Sequence, residues 1–251
     1  MKPSIDLELP GPGTSTVAKK ARTRSNYYVI ISIWAMVIVL AGFTLTYVQP
    51  MISRSGSFRP LVHTHAFLYF LWMVLFIVQP LLVRLGYTRI HKKLGIGGLV
   101  LAGLMIIFGV IVAITGARLN SPVLTVGGFT AKQFLIVPMT DMLLFTTYFV
   151  AVLVKMKDSE SHKRLIILMT LSVIPAAVGR ITGIFGISNF FLILFIQHGI
   201  LFAGIINDLV KRKRIHLVYV WGGLLLLAVH FTRFPLGASE WWSNVANWLV
   251  D

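Results

Sequence analysis

Seven apolar runs, at roughly 27–48, 61–83, 94–116, 133–154, 165–186, 190–210 and 215–232, alternate with short polar connections along the chain. Each is long enough, or nearly so, to cross the ~30 Å of a bilayer's hydrocarbon as an α-helix, at about 1.5 Å of rise per residue. The seventh is the shortest and holds a Gly-Gly pair at 222 and 223. The pattern predicts an all-α fold, a seven-transmembrane helix bundle over 27–232. Before it, residues 1–26 are rich in Pro, Gly, Ser and Thr and end in basic residues, which predicts a disordered tail. Beyond it, 233–251 carries Trp241, Trp242 and Trp248, the composition of an interfacial anchor, on a short amphipathic helix.

Composition agrees. Of 251 residues, 57% are hydrophobic and 12% charged, with a mean hydropathy of +0.83; a soluble domain carries about a quarter charged residues. The absence of cysteine excludes disulfides, iron–sulfur clusters, thiolate metal ligands and covalently attached haem. The net charge of +15 would suggest nucleic acid in a soluble protein, but its distribution gives another reading. Seventeen of the twenty-three Lys and Arg fall in the tail and in the connections after the second, fourth and sixth spans. The positive-inside rule then predicts N-in and C-out, in a bacterial inner membrane, with lipid rather than nucleic acid as the partner of the basic residues.

Against this background the polar residues inside the spans stand out, because each costs free energy in hydrocarbon and normally faces the bundle interior or water. In the second span His65, Trp72 and Gln79 recur at seven-residue steps and so share one stripe, with Tyr69 beside it. His63, two residues from His65, points to the other side and reads as interfacial. The seventh span sets His216 near one end and His230 near the other, with Tyr219 and Gly223 between them on the same stripe. His198 lies in the sixth span, Asp141 in the fourth and Arg180 in the fifth. His65, His198, His230, Asp141 and Arg180 therefore fall at similar depth in the outer half, and together they read as a candidate site. Arg180 has a plainer alternative, a structural ion pair with Asp141 or a side chain extending to the interface. A weak echo, "HKKL" at 91, "HKRL" at 162 and "IHLV" at 215, puts His91, His162 and His216 beside basic clusters, where lipid headgroups are the expected contacts. In the third span, Gly98 and Ala102 have the spacing of a close helix contact.

The His-x13-His spacing of the seventh span resembles that of transmembrane b-type cytochromes. Helix 2 departs from that likeness, with Gln79 where a second histidine would stand. The stretches "GFTLTYV", "HTHAFLYFLWMVLFIVQPLLV", "RIHKKLG" and "SHKRLIILMTLSVIPAAVGR" resemble an uncharacterised family of bacterial polytopic membrane proteins. The cytochrome likeness implies haem b held by His65 with His230 or His198, Arg180 near a propionate, and electron transfer between quinone and an outer-face partner. The residues themselves admit a second expectation, a zinc-dependent membrane hydrolase with His65, His198 and His230 as ligands and Asp141 as ligand or base. A third is a non-enzymatic assembly or structural subunit of a respiratory complex.

Overall fold

The computed structural model describes residues 26–119, 129–187 and 189–251. The tail expected over 1–26 lies, but for Asn26, outside the described residues. Among them the fold is all-helical, without strands, and seven helices are long and apolar enough to cross a membrane. We number them α1 (Tyr27–Ile52), α2 (Pro60–Leu85), α3 (Thr88–Arg118), α4 (Ala131–Val154), α5 (Ser159–Phe185), α6 (Phe190–Arg212) and α7 (Leu217–Gly237), followed by a short α8 (Glu240–Val250). The first three spans are more apolar than the four that follow.

Local chemistry sets the ends. Pro60 begins α2, where its missing N–H costs nothing, and Gly86 ends it in the left-handed conformation (φ 95°) that a Cβ disfavours. Asp158 and Asn189 cap α5 and α6 by accepting hydrogen bonds from backbone N–H groups of the first turn. The hydroxyl of Ser161 and the N–H groups of Ser161 and Glu160 hold the Asp158 carboxyl below the usual carboxylate range. Pro175 interrupts α5: the helix stops at Leu171 and resumes at Pro175, so its two halves take different neighbours.

That interruption places α5 at the centre. Its first half packs on α4, α6 and α7, and its second half on α1 and α6. α2 lies between α1 and α3, α3 also meets α4, and α4 meets α7. α5 is accordingly the most buried of the spans. Two glycines permit close approaches. A methyl group at Gly42 would overlap the backbone of Ala177, which brings α1 onto α5. One at Gly109 would overlap Met142 Sδ and Tyr69 Oη, which join α2, α3 and α4. Gly98 meets Leu75 of α2 and Ala102 is buried, as their spacing predicted.

At the end of the bundle where α1 begins, Arg164 of α5 is 1% exposed. Its Nε donates to Asp208 Oδ2 at 2.9 Å, its Nη2 to Asp208 Oδ1, and its Nη1 to the Glu160 carbonyl oxygen at 2.7 Å and carboxylate at 2.9 Å. The His216 N–H donates to Asp208 as well, and Glu160 also receives Lys163 and Arg212. This network ties α5 to α6 and to the start of α7.

Candidate functional site

The opposite half of the bundle holds a cavity of about 360 Å³ bounded by α4, α5, α6 and α7. Phe134 and Val137 of α4, Val178 of α5, Ile193 of α6, and Phe231 and Phe234 of α7 supply apolar walls. One wall is polar: Gln197 and His198 of α6, and His230 and Arg233 of α7. His230 and Arg233, three residues apart on α7, share a face, and Gln197 and His198 both line the cavity from α6.

Behind this wall the polar groups form a string. His198 Nδ1 lies 3.1 Å from the Leu194 carbonyl oxygen, and His198 Nε2 lies 3.0 Å from His230 Nδ1. The Gln197 amide nitrogen is 2.8 Å from the same His230 Nδ1. His230 Nε2 is buried without a hydrogen bond and stands 3.9 Å from Asp141 Oδ1. Asp141, 4% exposed, accepts a hydrogen bond from Arg233 Nη1 at 3.0 Å. Asp141 stands next in line beyond His230 without a hydrogen bond to it. The arrangement can therefore present polar groups to a molecule in the cavity.

Of the sequence-derived residues, the structure brings Asp141, His198 and His230 together and leaves His65 and Arg180 elsewhere. His65 stacks on Tyr69, with ring centroids 4.1 Å apart, and its Nδ1 is buried without a hydrogen bond. The Arg180 guanidinium lies over the Phe43 ring at 4.3 Å and donates to the Ala176 carbonyl oxygen. Arg180 is thus not the partner of Asp141. That role belongs to Arg233, which the sequence reading placed beyond the seventh span. α7 continues to Gly237, and the signal was present: Arg233 follows His230 by one helical turn.

The remaining polar residues divide as follows. Gln79, with its amide turned to suit its neighbours, donates to His91 Nδ1 at 2.5 Å and accepts from the Gly95 N–H at 3.1 Å, so it joins α2 to α3. His162 Nδ1 is buried without a hydrogen bond. His216 caps α7 rather than lining its interior. His63 is exposed and pairs with Tyr47 Oη at 2.7 Å. On α8, Trp242 is buried and donates to the Lys132 carbonyl oxygen, while Trp241 and Trp248 face outward.

Among the described residues, no three His, Asp or Glu side chains are placed to hold one metal ion. A haem iron between two imidazoles needs a ring nitrogen of each on opposite sides of the porphyrin plane. His198 and His230 instead turn ring nitrogens toward one another at hydrogen-bond distance, and His65 does not line their cavity. As arranged, these residues do not fit an axial pair. Comparisons with family models, with curated proteins and with solved structures find no match for this chain.

Proposed function

We propose that the protein is a multi-pass membrane protein that takes a lipid-soluble, carbonyl-bearing molecule of the quinone class from the bilayer into the cavity between α4, α5, α6 and α7. The observation that carries the reading is the cavity's asymmetry: aromatic and aliphatic walls with one cluster of hydrogen-bonding groups, Gln197, His198, His230 and Arg233. Its volume, about 360 Å³, falls within the range of ~300–1,000 Å³ usual for small-molecule sites. An apolar ring and tail suit the walls, and a carbonyl oxygen suits the donors. The orientation we infer is N-in and C-out in a bacterial inner membrane, because the basic residues concentrate in the connections at the end where α1 begins. The cavity then belongs to the outer half of the bilayer.

The test uses the purified protein in lipid nanodiscs titrated with decylubiquinone. Saturable binding is expected. Gly179 lines the cavity and a Cβ there would meet nothing within 4 Å. Gly179→Phe should therefore occupy the cavity and weaken binding at least tenfold with the fold intact. Equal binding by wild type and Gly179→Phe would place the ligand elsewhere and end the proposal. The same preparation decides the wider expectations: a b-type absorption spectrum would replace this reading with a cytochrome, and stoichiometric zinc with a metal-dependent hydrolase.

A further inference from the structure

The polar wall of the cavity is not evenly committed. His198 and the Gln197 amide both turn to His230 Nδ1. Arg233 is different. It is 4% exposed, and it makes a single hydrogen bond, Nη1 to Asp141. One face of its guanidinium rests near the Phe234 ring, 5.2 Å from the centroid. Its Nε is buried with no hydrogen-bond partner, and other atoms of the residue line the cavity. A guanidinium carries five N–H donors in a fixed plane, and a buried donor left unmade costs more than an ordinary hydrogen bond gains.

We propose that Arg233 is the head-group anchor of the site, the guanidinium N–H groups not bonded to Asp141 donating to a neutral carbonyl oxygen of the ligand. This rests on the reading of the cavity as a quinone site and names the residue that selects the class. Charge decides between acceptor heads. Asp141 already balances Arg233, so the pair is neutral as a unit. A carboxylate head would add an uncompensated buried charge, whereas a carbonyl adds none. The fixed fork of the side chain does two things at once: Nη1 holds Asp141 on α4, and the remaining N–H groups are left for the ligand. Lysine, a point charge without that fork, can do the first and not the second.

The experiment measures binding of decylubiquinone, of 1-decylbenzene, which has a similar apolar body and no carbonyl, and of decanoate. Wild type and Arg233→Lys are compared in nanodiscs, with thermal unfolding of each. Arg233→Lys should weaken decylubiquinone about tenfold to a hundredfold, the range for a hydrogen bond to a charged donor, and leave 1-decylbenzene and the unfolding temperature unchanged. Unchanged decylubiquinone binding in Arg233→Lys would overturn the anchor while the quinone reading stands. Decanoate bound in place of the quinone, and lost in Arg233→Lys, would overturn the carbonyl assignment. No binding of decylubiquinone or 1-decylbenzene to the wild type would remove the cavity reading and the anchor with it. Should Arg233→Lys fail to fold, the double variant Asp141→Asn/Arg233→Gln removes the guanidinium without leaving an unpaired charge, and the same loss of decylubiquinone is expected.

Discussion

Two buried arginines occupy opposite ends of this bundle, each against an aspartate from another helix, and they are satisfied to different degrees. Arg164 uses all three guanidinium nitrogens, against Asp208 and Glu160, and those carboxylates accept further bonds from the His216 N–H, Lys163 and Arg212. Arg233 holds Asp141 through one nitrogen, its Nε has no partner, and neither has the neighbouring His230 Nε2. The first arrangement is closed and serves as a strut between α5, α6 and α7. The second keeps unused hydrogen-bonding capacity beside a cavity, which is what a binding site needs and a strut does not.

The comparison can be broken most directly at its closed end. Arg164→Met leaves Asp208, itself 1% exposed, without its counter-charge. A loss of about 3–5 kcal/mol is expected, as for other broken buried pairs, read from denaturant unfolding in micelles. Wild-type stability in this variant would mean that the network is not a strut. At the open end, Asp141→Asn should cost less, about 1–3 kcal/mol. The amide oxygen can still accept from Arg233. A loss equal to that of Arg164→Met would erase the distinction. Between the two ends, Tyr148 Oη donates to the Gly222 carbonyl oxygen at 2.7 Å and joins α4 to α7. Tyr148→Phe should cost about 1 kcal/mol, and no change would show that water replaces the bond.

The smallest effect concerns the cap beneath the strut. The Asp158 carboxyl is held below its ordinary range by Ser161 and the first-turn N–H groups. Its contribution is therefore present above its unfolded-state value and lost as pH falls through the lowered folded-state value. Asp158→Asn keeps a capping side chain that does not titrate. The unfolding temperatures of wild type and variant should run parallel near neutrality and differ in slope only in acid. Parallel curves down to pH 2 would remove Asp158 from the cap's pH dependence.

Hydropathy made the seven spans legible, because each run must satisfy the bilayer on its own. The cost of a polar group in hydrocarbon made Asp141, His198 and His230 legible as inward-facing. Their partners were harder to read. Asp141 and Arg233 are 92 residues apart, and no local rule links them. Arg233 also resembled a connection residue, since a charge near the end of an apolar run ordinarily marks where the membrane stops. His65 and Arg180 share the depth of the site without belonging to it, because depth is set by position along a helix and convergence by how helices are ordered around the bundle. The interruption at Pro175 settles that order by giving the two halves of α5 different neighbours.

The uneven apolarity of the spans has a further consequence, in the time the ribosome takes. α1, α2 and α3 are the most apolar and can enter the bilayer as they emerge. α4 and α5 bring Asp141 and Arg164, whose partners are not yet made. At about 5–20 residues per second, Asp208 follows Arg164 within roughly 2 to 9 s, across 44 residues. Asp141 waits roughly 5 to 20 s for Arg233, across 92 residues. Through that interval α4 holds an acidic group with no counter-charge, and a chain that terminates within α7 before residue 233 keeps it so.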